Sequence, residues 1–214
     1  MRSKEFTYEY KGVIYPVIVT YKRMKTIRYR YKEGVFYISA PYFGTTKHDF
    51  SKGLDKFAEV LIKNETSKSK PIGDDYIYLF GQKVLLAYPG TIVFLGKLIS
   101  FDNVQELLKK LRKPFLKYLT TQTEKYAKIM NAPLYQVKLR EMRSRYGSNN
   151  RPKKTITYAM MLIYYSPEII DSVVVHELVH CFVYDHSDNF YRLLYKYCPN
   201  YDKLRKKLIN AEFN

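Results

Sequence analysis

Tryptophan is absent from this sequence, and cysteine and long apolar runs are scarce. The 214 residues include two cysteines, which are too few for a disulfide framework of the kind that holds small secreted domains together. The longest apolar run covers residues 158–165, whereas a helix needs about 20 apolar residues to cross a bilayer. The first 20 residues contain no apolar block of the length found in secretory signals. We therefore expect a cytoplasmic protein with reduced cysteines and no membrane partner.

Acidic residues are few relative to basic ones. The chain has 37 Lys and Arg against 20 Asp and Glu, a formal net charge of +17, and the excess is densest at residues 22–32 and 138–154. Basic stretches of this kind attract the phosphate backbone of nucleic acids. A lysine-rich solvated surface has the same composition, so charge alone makes nucleic acid one candidate partner. Global disorder is excluded, because 46% of the residues are apolar.

Strand patterns dominate the first hundred residues. Isoleucine and tyrosine alternate with basic residues over residues 27–32, a Lys-Glu-Gly turn follows, and residues 35–39 complete a hairpin that ends at Pro41. Residues 50–63 instead place their apolar side chains at helical spacing. Further strand-like segments between residues 76 and 96 predict a β-meander. This part of the chain is therefore predicted to be rich in β-structure.

A change from strand to helix patterns marks the predicted domain boundary. The segment Asp102–Gln105 has the form of a capping box, and a helical pattern runs from it towards Met130, with an interruption expected at Pro114. We divide the chain here into a β-rich N-terminal region, residues 1–101, and a second domain, residues 102–214. The mixture of strands and helices predicts the α+β class.

The second domain alternates strand and helix patterns. Residues 135–141 and 155–159 are predicted strands, and the segment between them is predicted as a loop. Ser166 followed by Pro167 is typical of a helix start, and Asp171 is an alternative cap for the same helix. This helix carries the motif on which the functional prediction depends.

Two histidines and a glutamate form the motif HExxH. His176 and His180 are one helical turn apart, so their imidazoles leave the same face and can bind one Zn²⁺. Glu177 follows the first histidine and can reach a water on that ion without being a ligand. The apolar residues around the motif predict a rigid, buried helix. We therefore predict a metal site here, in preference to buried histidines that form only hydrogen bonds.

A third metal ligand is expected ten residues after the first histidine. On an unbroken helix His186 would lie about 80° off the face of the first ligand, so it can join the site only if the helix ends in between. We place this break at Tyr184–Asp185, because Asp tolerates a left-handed conformation, and we expect Ser187 to start the next helix. The alternatives to His186 are Asp185, Asp188 and a distant carboxylate.

Segments outside the histidine motif point to one family. They include a Lys-Thr pair within the basic stretch at 22–32, a Ser-Ala-Pro sequence, an Arg-x-Arg-aromatic-Gly-Ser segment and a Cys-Pro-x-Tyr turn. Together with HELVH they resemble the YgjP-like metallopeptidases, which are zincin-like proteins related to the SprT and WLM groups. Tyr146 and Asn149 depart from the family pattern, which has tryptophan and cysteine there. In this sequence the segments are Met24–Thr26, Ser39–Pro41, Arg143–Asn149, Pro167–Asp171, His186–Tyr191 and Cys198–Tyr201.

The resemblance implies a zinc metallopeptidase with a zincin-like catalytic domain. In such an enzyme His176, His180 and His186 would bind zinc, the cofactor. Glu177 would be the general base for attack of a metal-activated water on a protein or peptide substrate.

The resemblance also implies where the substrate lies. Zincins usually bind it along an edge strand, so the strand at 155–159 is expected to contact it through Ile156, Thr157 and Tyr158. The transition state needs a further donor beside the metal. The candidates for that role are Arg143, Arg145, Tyr146 and Tyr184.

Two alternatives remain open at this point. The basic stretches could recruit the enzyme to nucleic acid, which would make it a DNA-associated protease. Zinc could instead stabilise a binding module that has no catalytic activity.

Overall fold

Helices account for 40% of the chain and strands for 31%. The computed structural model describes residues 3–42, 44, 46–66 and 70–214. This mixture of helices and strands confirms the predicted α+β class. Within those described ranges, no helix combines the length and the apolar character that crossing a membrane requires.

The chain forms two compact units, residues 1–68 and 69–214. This division differs from the boundary predicted after residue 101. The reason is that the strands before that point pack their apolar side chains into the core of the second unit. Ile77 and Phe94, for example, are buried in that core.

The first unit is a four-stranded sheet with one helix against it. Its elements are β1 (Ser3–Tyr10), β2 (Val13–Lys22), β3 (Arg28–Lys32), β4 (Val35–Pro41) and α1 (Lys47–Thr66), with the strands in the order β1-β2-β4-β3. Phe36 and Ile38 project from one face of β4 into a core shared with Leu54 of α1. The predicted hairpin is confirmed by the antiparallel pairing of β3 with β4. Its two-residue turn, Glu33–Gly34, has φ angles of 49° and 82°, which suit the twist of the strands.

Two separate hairpins open the second unit. The first pairs β5 (Tyr76–Leu79) with β6 (Gln82–Leu85), and the second pairs β7 (Gly90–Phe94) with β8 (Lys97–Phe101). The prediction of one meander is wrong, because β6 and β7 belong to different sheets. Pro89 lies between them and has no N–H to donate, so a strand ladder cannot continue through it.

A long helix, α2 (Val104–Met130), follows the hairpins. Its N-cap is Asn103, whose side chain accepts a hydrogen bond from the Glu106 N–H at 3.0 Å, while the Glu106 carboxylate accepts one from the Asp102 N–H at 2.8 Å. The capping box therefore begins one residue later than predicted. The interruption predicted at Pro114 is wrong, because α2 continues through it. Buried residues form a stripe along α2 both before and after this proline. The packing of these residues outweighs the backbone hydrogen bond that the proline cannot donate.

A mixed three-stranded sheet lies beside the histidine motif. Its strands are β9 (Gln136–Arg140), β10 (Gly147–Asn150) and β11 (Thr155–Ala159). The middle strand is β11, which is parallel to β9 and antiparallel to β10. The edge strand β10 lies in the segment predicted as a loop. Its Gly-Ser-Asn-Asn sequence has little strand propensity, so pairing with β11 is what makes it a strand.

Three helices complete the second unit, α3 (Pro167–Val179), α4 (Asp188–Tyr197) and α5 (Tyr201–Asn210). As predicted, Ser166 precedes the first turn of α3, and the alternative start at Asp171 is wrong because that residue lies inside the helix. Most residues of α3 are buried, so the helix that carries the HExxH motif is held by the core around it.

Candidate metal centre

The three histidines of the motif region converge on one point. His176 lies in the last turn of α3, His180 caps its end, and His186 lies in the segment that leads to α4. One ring nitrogen from each lies within 4.8 Å of the other two. The Nε2 atoms of His176 and His186 are 3.2 Å apart. The geometry therefore brings together the three side chains that the sequence predicts as ligands.

The chain turns back towards the site immediately after α3. The N–H groups of Cys181, Phe182 and Val183 donate to carbonyls of residues 178 and 179, at 2.9–3.0 Å, which forms a tight turn at the helix end. The predicted break at Tyr184–Asp185 is therefore wrong: the helix ends at Val179, and Asp185 is not among the left-handed residues of the described chain. The short turn brings His186 back without a left-handed residue.

The carboxylates considered as alternative third ligands lie outside the histidine cluster. Asp185 accepts a hydrogen bond from the Ser187 hydroxyl at 2.9 Å, and Asp188 begins α4. As predicted, Ser187 is the N-cap residue of this next helix. The described metal-ligating group contains neither aspartate.

Hydrogen bonds orient two of the three rings. Nδ1 of His176 lies 2.8 Å from the Tyr201 hydroxyl oxygen, and Nδ1 of His180 lies 3.2 Å from the Val183 carbonyl oxygen. An Nδ1–H donated to either oxygen leaves the Nε2 lone pair of that ring free for a metal. Burial lowers the pKa of His176 to about 3, and the nearby His180 adds to this, so the ring is neutral at physiological pH.

One aromatic side chain supports all three rings. Phe190, in the first turn of α4, is fully buried, and its ring centroid lies 5.0 Å from that of His176 and 4.7 Å from those of His180 and His186. Neither Phe190 nor Tyr201 was predicted as part of the site. The only sequence signal for Tyr201 is its place in the Cys-Pro-x-Tyr turn.

The donor set fits a transition-metal ion. Neutral imidazoles are ordinary Zn²⁺ ligands, and two nitrogens bound tetrahedrally at about 2.0–2.1 Å stand roughly 3.3 Å apart. The Nε2 separation of 3.2 Å between His176 and His186 agrees with this value. Beside them, Oε2 of Glu177 is buried with no hydrogen-bond partner in the described part of the chain. A water at the centre would give that oxygen a partner.

The carboxylate of Glu177 is held between α3 and the edge strand β10. Its residue is 4% exposed, and burial raises the pKa of Glu177 to about 8, although the Arg145 guanidinium and a backbone hydrogen bond from Asn149 favour the charged form. The Asn149 side chain also donates to the Glu177 carbonyl at 2.7 Å. On the other side, the Cα of Gly147 faces the Glu177 side chain. Strand β10 therefore fixes the carboxylate beside the three histidines.

A cleft of about 480 Å³ opens over these groups. Only two of the four candidates for transition-state stabilisation line this cleft. Arg145 and Tyr184 line the cleft together with the histidines and Glu177, and Tyr184 is 79% exposed. Arg143 lines a different cavity, on the sheet. Arg151, which lines the cleft, was not predicted.

The hydroxyl of Tyr146 is engaged elsewhere. It lies 3.0 Å from the Leu208 carbonyl oxygen and 3.1 Å from the Tyr165 hydroxyl. The first contact joins the residue before β10 to α5, and together the two contacts use the one proton that the hydroxyl has to donate. Tyr146 is therefore a poor candidate for stabilising a transition state.

The predicted substrate strand is in the wrong position in the sheet. Ile156 and Tyr158 are fully buried, and the Tyr158 hydroxyl lies 3.0 Å from that of Thr123. Their strand, with Thr157 between them, is paired on both sides. A middle strand has no free backbone groups for a peptide, so the prediction that the substrate pairs as an added strand with Ile156, Thr157 and Tyr158 is wrong. The edge nearest Glu177 belongs to β10.

The sequence itself matches a known domain over this region. The profile of the YgjP-like metallopeptidase domain matches residues 97–211, which include all three histidines and Glu177. The chain belongs to the YgjP-like family. The resemblance read from the motifs is thereby confirmed, and the YgjP-like domain makes this protein a metallopeptidase that acts on protein or peptide substrates. A comparison with curated proteins finds no match.

Two solved structures are similar to part of this YgjP-like protein. One is the metallopeptidase zymogen of Pyrococcus abyssi abylysin, with 19% identity and a TM-score of 0.40 over 42% of this chain and 91% of that one. The other is the metallopeptidase zymogen of Methanocaldococcus jannaschii jannalysin, with 18% identity and a TM-score of 0.39 over 42% of this chain and 93% of that one.

Proposed function

We propose that this YgjP-like protein is a zinc-dependent peptidase in which His176, His180 and His186 hold the ion and Glu177 is the general base. The observation that carries the proposal is the juxtaposition of three converging imidazoles with a buried carboxylate oxygen that has no other partner among the described residues. Zinc held by three protein ligands supplies Lewis acidity, which polarises the substrate carbonyl and makes water more acidic.

Glu177 would move the proton of the reaction. Its carboxylate takes a proton from the attacking water at Oε2 and passes it to the leaving amine nitrogen as the peptide C–N bond breaks. The burial of the Glu177 carboxylate beside the histidines suits this role, because its Oε2 has no other partner among the described residues. The backbone N–H of Asn149 keeps the carboxylate in place.

The substrate would lie along the edge strand β10. A peptide added to that edge extends the sheet across the cleft, with its backbone bonded to β10 and its carbonyl close to Glu177. Arg145 and Tyr184 line the same cleft, as does Arg151, and these side chains can stabilise negative charge on the carbonyl oxygen. The strand at 155–159 is paired on both sides and is not available for such pairing.

The test is metal content and hydrolysis of an unfolded protein substrate by purified protein. We expect about one zinc per chain, and the Glu177→Gln protein should retain it while its hydrolysis rate falls by at least about 100-fold. Glu168→Gln is the matched control, because Glu168 is an exposed glutamate in the first turn of the same helix. A folded protein that takes up no divalent ion, or a fully active Glu177→Gln protein, would contradict the proposal.

A further inference from the structure

A second cavity of about 520 Å³ lies on the outer face of the three-stranded sheet. We call it the outer basin. Its rim carries one acidic side chain and five basic ones. The basic side chains are Lys138, Arg140, Arg143, Arg145 and Lys153.

The floor of the outer basin is formed by one face of the sheet. Lys138, Thr157 and Ser148 are aligned across the three strands and line the basin. The residues next in sequence project to the opposite face. There Ile156 is fully buried and Asn149 bonds to α3. The sheet therefore has one face in the core and one polar, basic face outside.

Most of the positive charge of the outer basin is left uncompensated by the described residues, although Arg145 also attracts the Glu177 carboxylate. None of the five forms an ion pair in the part of the chain that the structure describes. The one acidic residue at the rim, Glu141, is bound by Arg112 at 2.6 Å from outside the basin. Clustered like charges in a concave surface raise the local potential and attract anions.

The excess of positive charge continues towards the metal centre. Arg145 lines the outer basin, the catalytic cleft and a third pocket of about 250 Å³ beside His176, where Arg205 also lies. Arg151 adds a further cation to the cleft. The acids of the cleft are already used, since Glu177 is the proposed base and Asp185 is bonded to Ser187. A substrate that crosses this region therefore meets mainly cations.

We propose that the peptidase selects acidic segments of its substrates, whose carboxylate side chains bind in the outer basin. This inference rests on the proposed function, because a substrate strand along β10 places every second side chain over the outer face of the sheet. Hydroxyl and amide groups from Ser148, Thr157 and Asn150 in the basin lining add hydrogen-bond donors for the bound carboxylates.

A peptide is favoured over nucleic acid as the occupant. The lining of the outer basin contains no aromatic side chain on which a base could stack. The connection of the basin to the cleft through Arg145 also suits a chain whose scissile bond lies at the metal centre while its neighbouring side chains extend into the basin.

The experiment compares two short peptides that are identical except that Asp and Glu in one are Asn and Gln in the other. Binding to the Glu177→Gln protein is measured by fluorescence anisotropy at low salt, and cleavage is measured with the unaltered protein. We expect the acidic peptide to bind about tenfold more tightly and to have the higher kcat/KM. The double variant K138Q/K153Q should lose most of that preference. The control K113Q/K117Q, which changes exposed lysines of α2 that line none of these cavities, should retain it.

The two readouts separate this inference from the proposed function. Equal binding of both peptides would overturn the acidic preference, even if both are cleaved. Preferential binding of the acidic peptide with no hydrolysis would support the outer basin and contradict the peptidase mechanism. Duplex DNA is the remaining probe: if it binds more tightly than the acidic peptide and K138Q/K153Q abolishes that binding, the occupant is nucleic acid and the proposal is overturned.

Discussion

Gly147 lies so close to the side chain of Glu177 that a Cβ added to the glycine would stand 2.7 Å from Glu177 Cγ. The backbone of Gly147 does not have a positive φ, so an alanine fits the chain conformation there. Glycine is therefore needed at this position because a Cβ would collide with the Glu177 side chain, and not because of the backbone conformation. Strand β10 can approach α3 only because this position has no side chain.

Gly147→Ala is expected to displace the Glu177 carboxylate while leaving the histidines in place. The hydrolysis rate should fall by about tenfold or more, because general-base catalysis depends on hydrogen-bond geometry, and zinc content should not change. Both are measured on purified protein. Gly73→Ala is the control, because its Cβ would collide with Tyr76, away from the cleft. An unchanged rate for Gly147→Ala would show that Glu177 does not need its present position.

Tyr201→Phe removes the hydroxyl that lies against Nδ1 of His176. Groups that orient a ligand ring typically contribute 10- to 100-fold to metal affinity, so we expect zinc affinity to fall by about that factor. A competition titration with a chromophoric chelator measures it. Tyr195→Phe also removes a hydroxyl bonded at 2.9 Å, to Asp202 on the surface, and should leave affinity unchanged. Equal affinities for the two variants would contradict the orienting role of Tyr201.

His186→Ala removes a direct ligand, so its effect on zinc affinity should exceed that of any orienting residue. We expect a loss of more than about 100-fold in the same titration. Asp185→Asn and Asp188→Asn test the carboxylates that sequence reasoning leaves open, and neither should alter zinc affinity. If the asparagine variants lose zinc and His186→Ala keeps it, the assignment of the third ligand is wrong.

Asn103→Ala tests the position of the capping box at the start of α2. Loss of the hydrogen bond to the Glu106 N–H should lower the free energy of unfolding by about 1 kcal/mol. Urea denaturation measures the change. Gln105→Ala alters the residue that the predicted capping box would use, and it should change stability by less than about 0.5 kcal/mol. A larger effect at Gln105 would favour the box as predicted from the sequence.

The sequence predicts well what depends on local periodicity. The spacing of His176 and His180 places them on one helix face, and the structure brings their rings to 5.0 Å between centroids. The hairpin of β3 and β4 is equally local, since alternation and a two-residue turn determine its register. These features need no information from distant parts of the chain.

Other features depend on contacts that local patterns do not contain. Pro114 has no N–H to donate and would locally favour a helix end, but the packing of buried residues on both sides of it keeps α2 continuous. Strand β10 has a loop-like sequence and forms because β11 pairs with it and because Asn149 bonds to the end of α3. Helix α3 ends earlier than the break predicted at Asp185, because backbone hydrogen bonds alone close the turn that follows it.

Phe190 offers no atom to a metal, yet its ring touches all three imidazoles from inside the core. Truncating it would open a void beneath the histidines and free each of them to rotate. A mutational survey scored by zinc uptake would therefore rank this phenylalanine with the ligands. If the same variants were ranked by thermal unfolding, this phenylalanine would group with the core residues. Natural selection for zinc binding therefore also maintains stability at this position, and selection for stability maintains zinc binding.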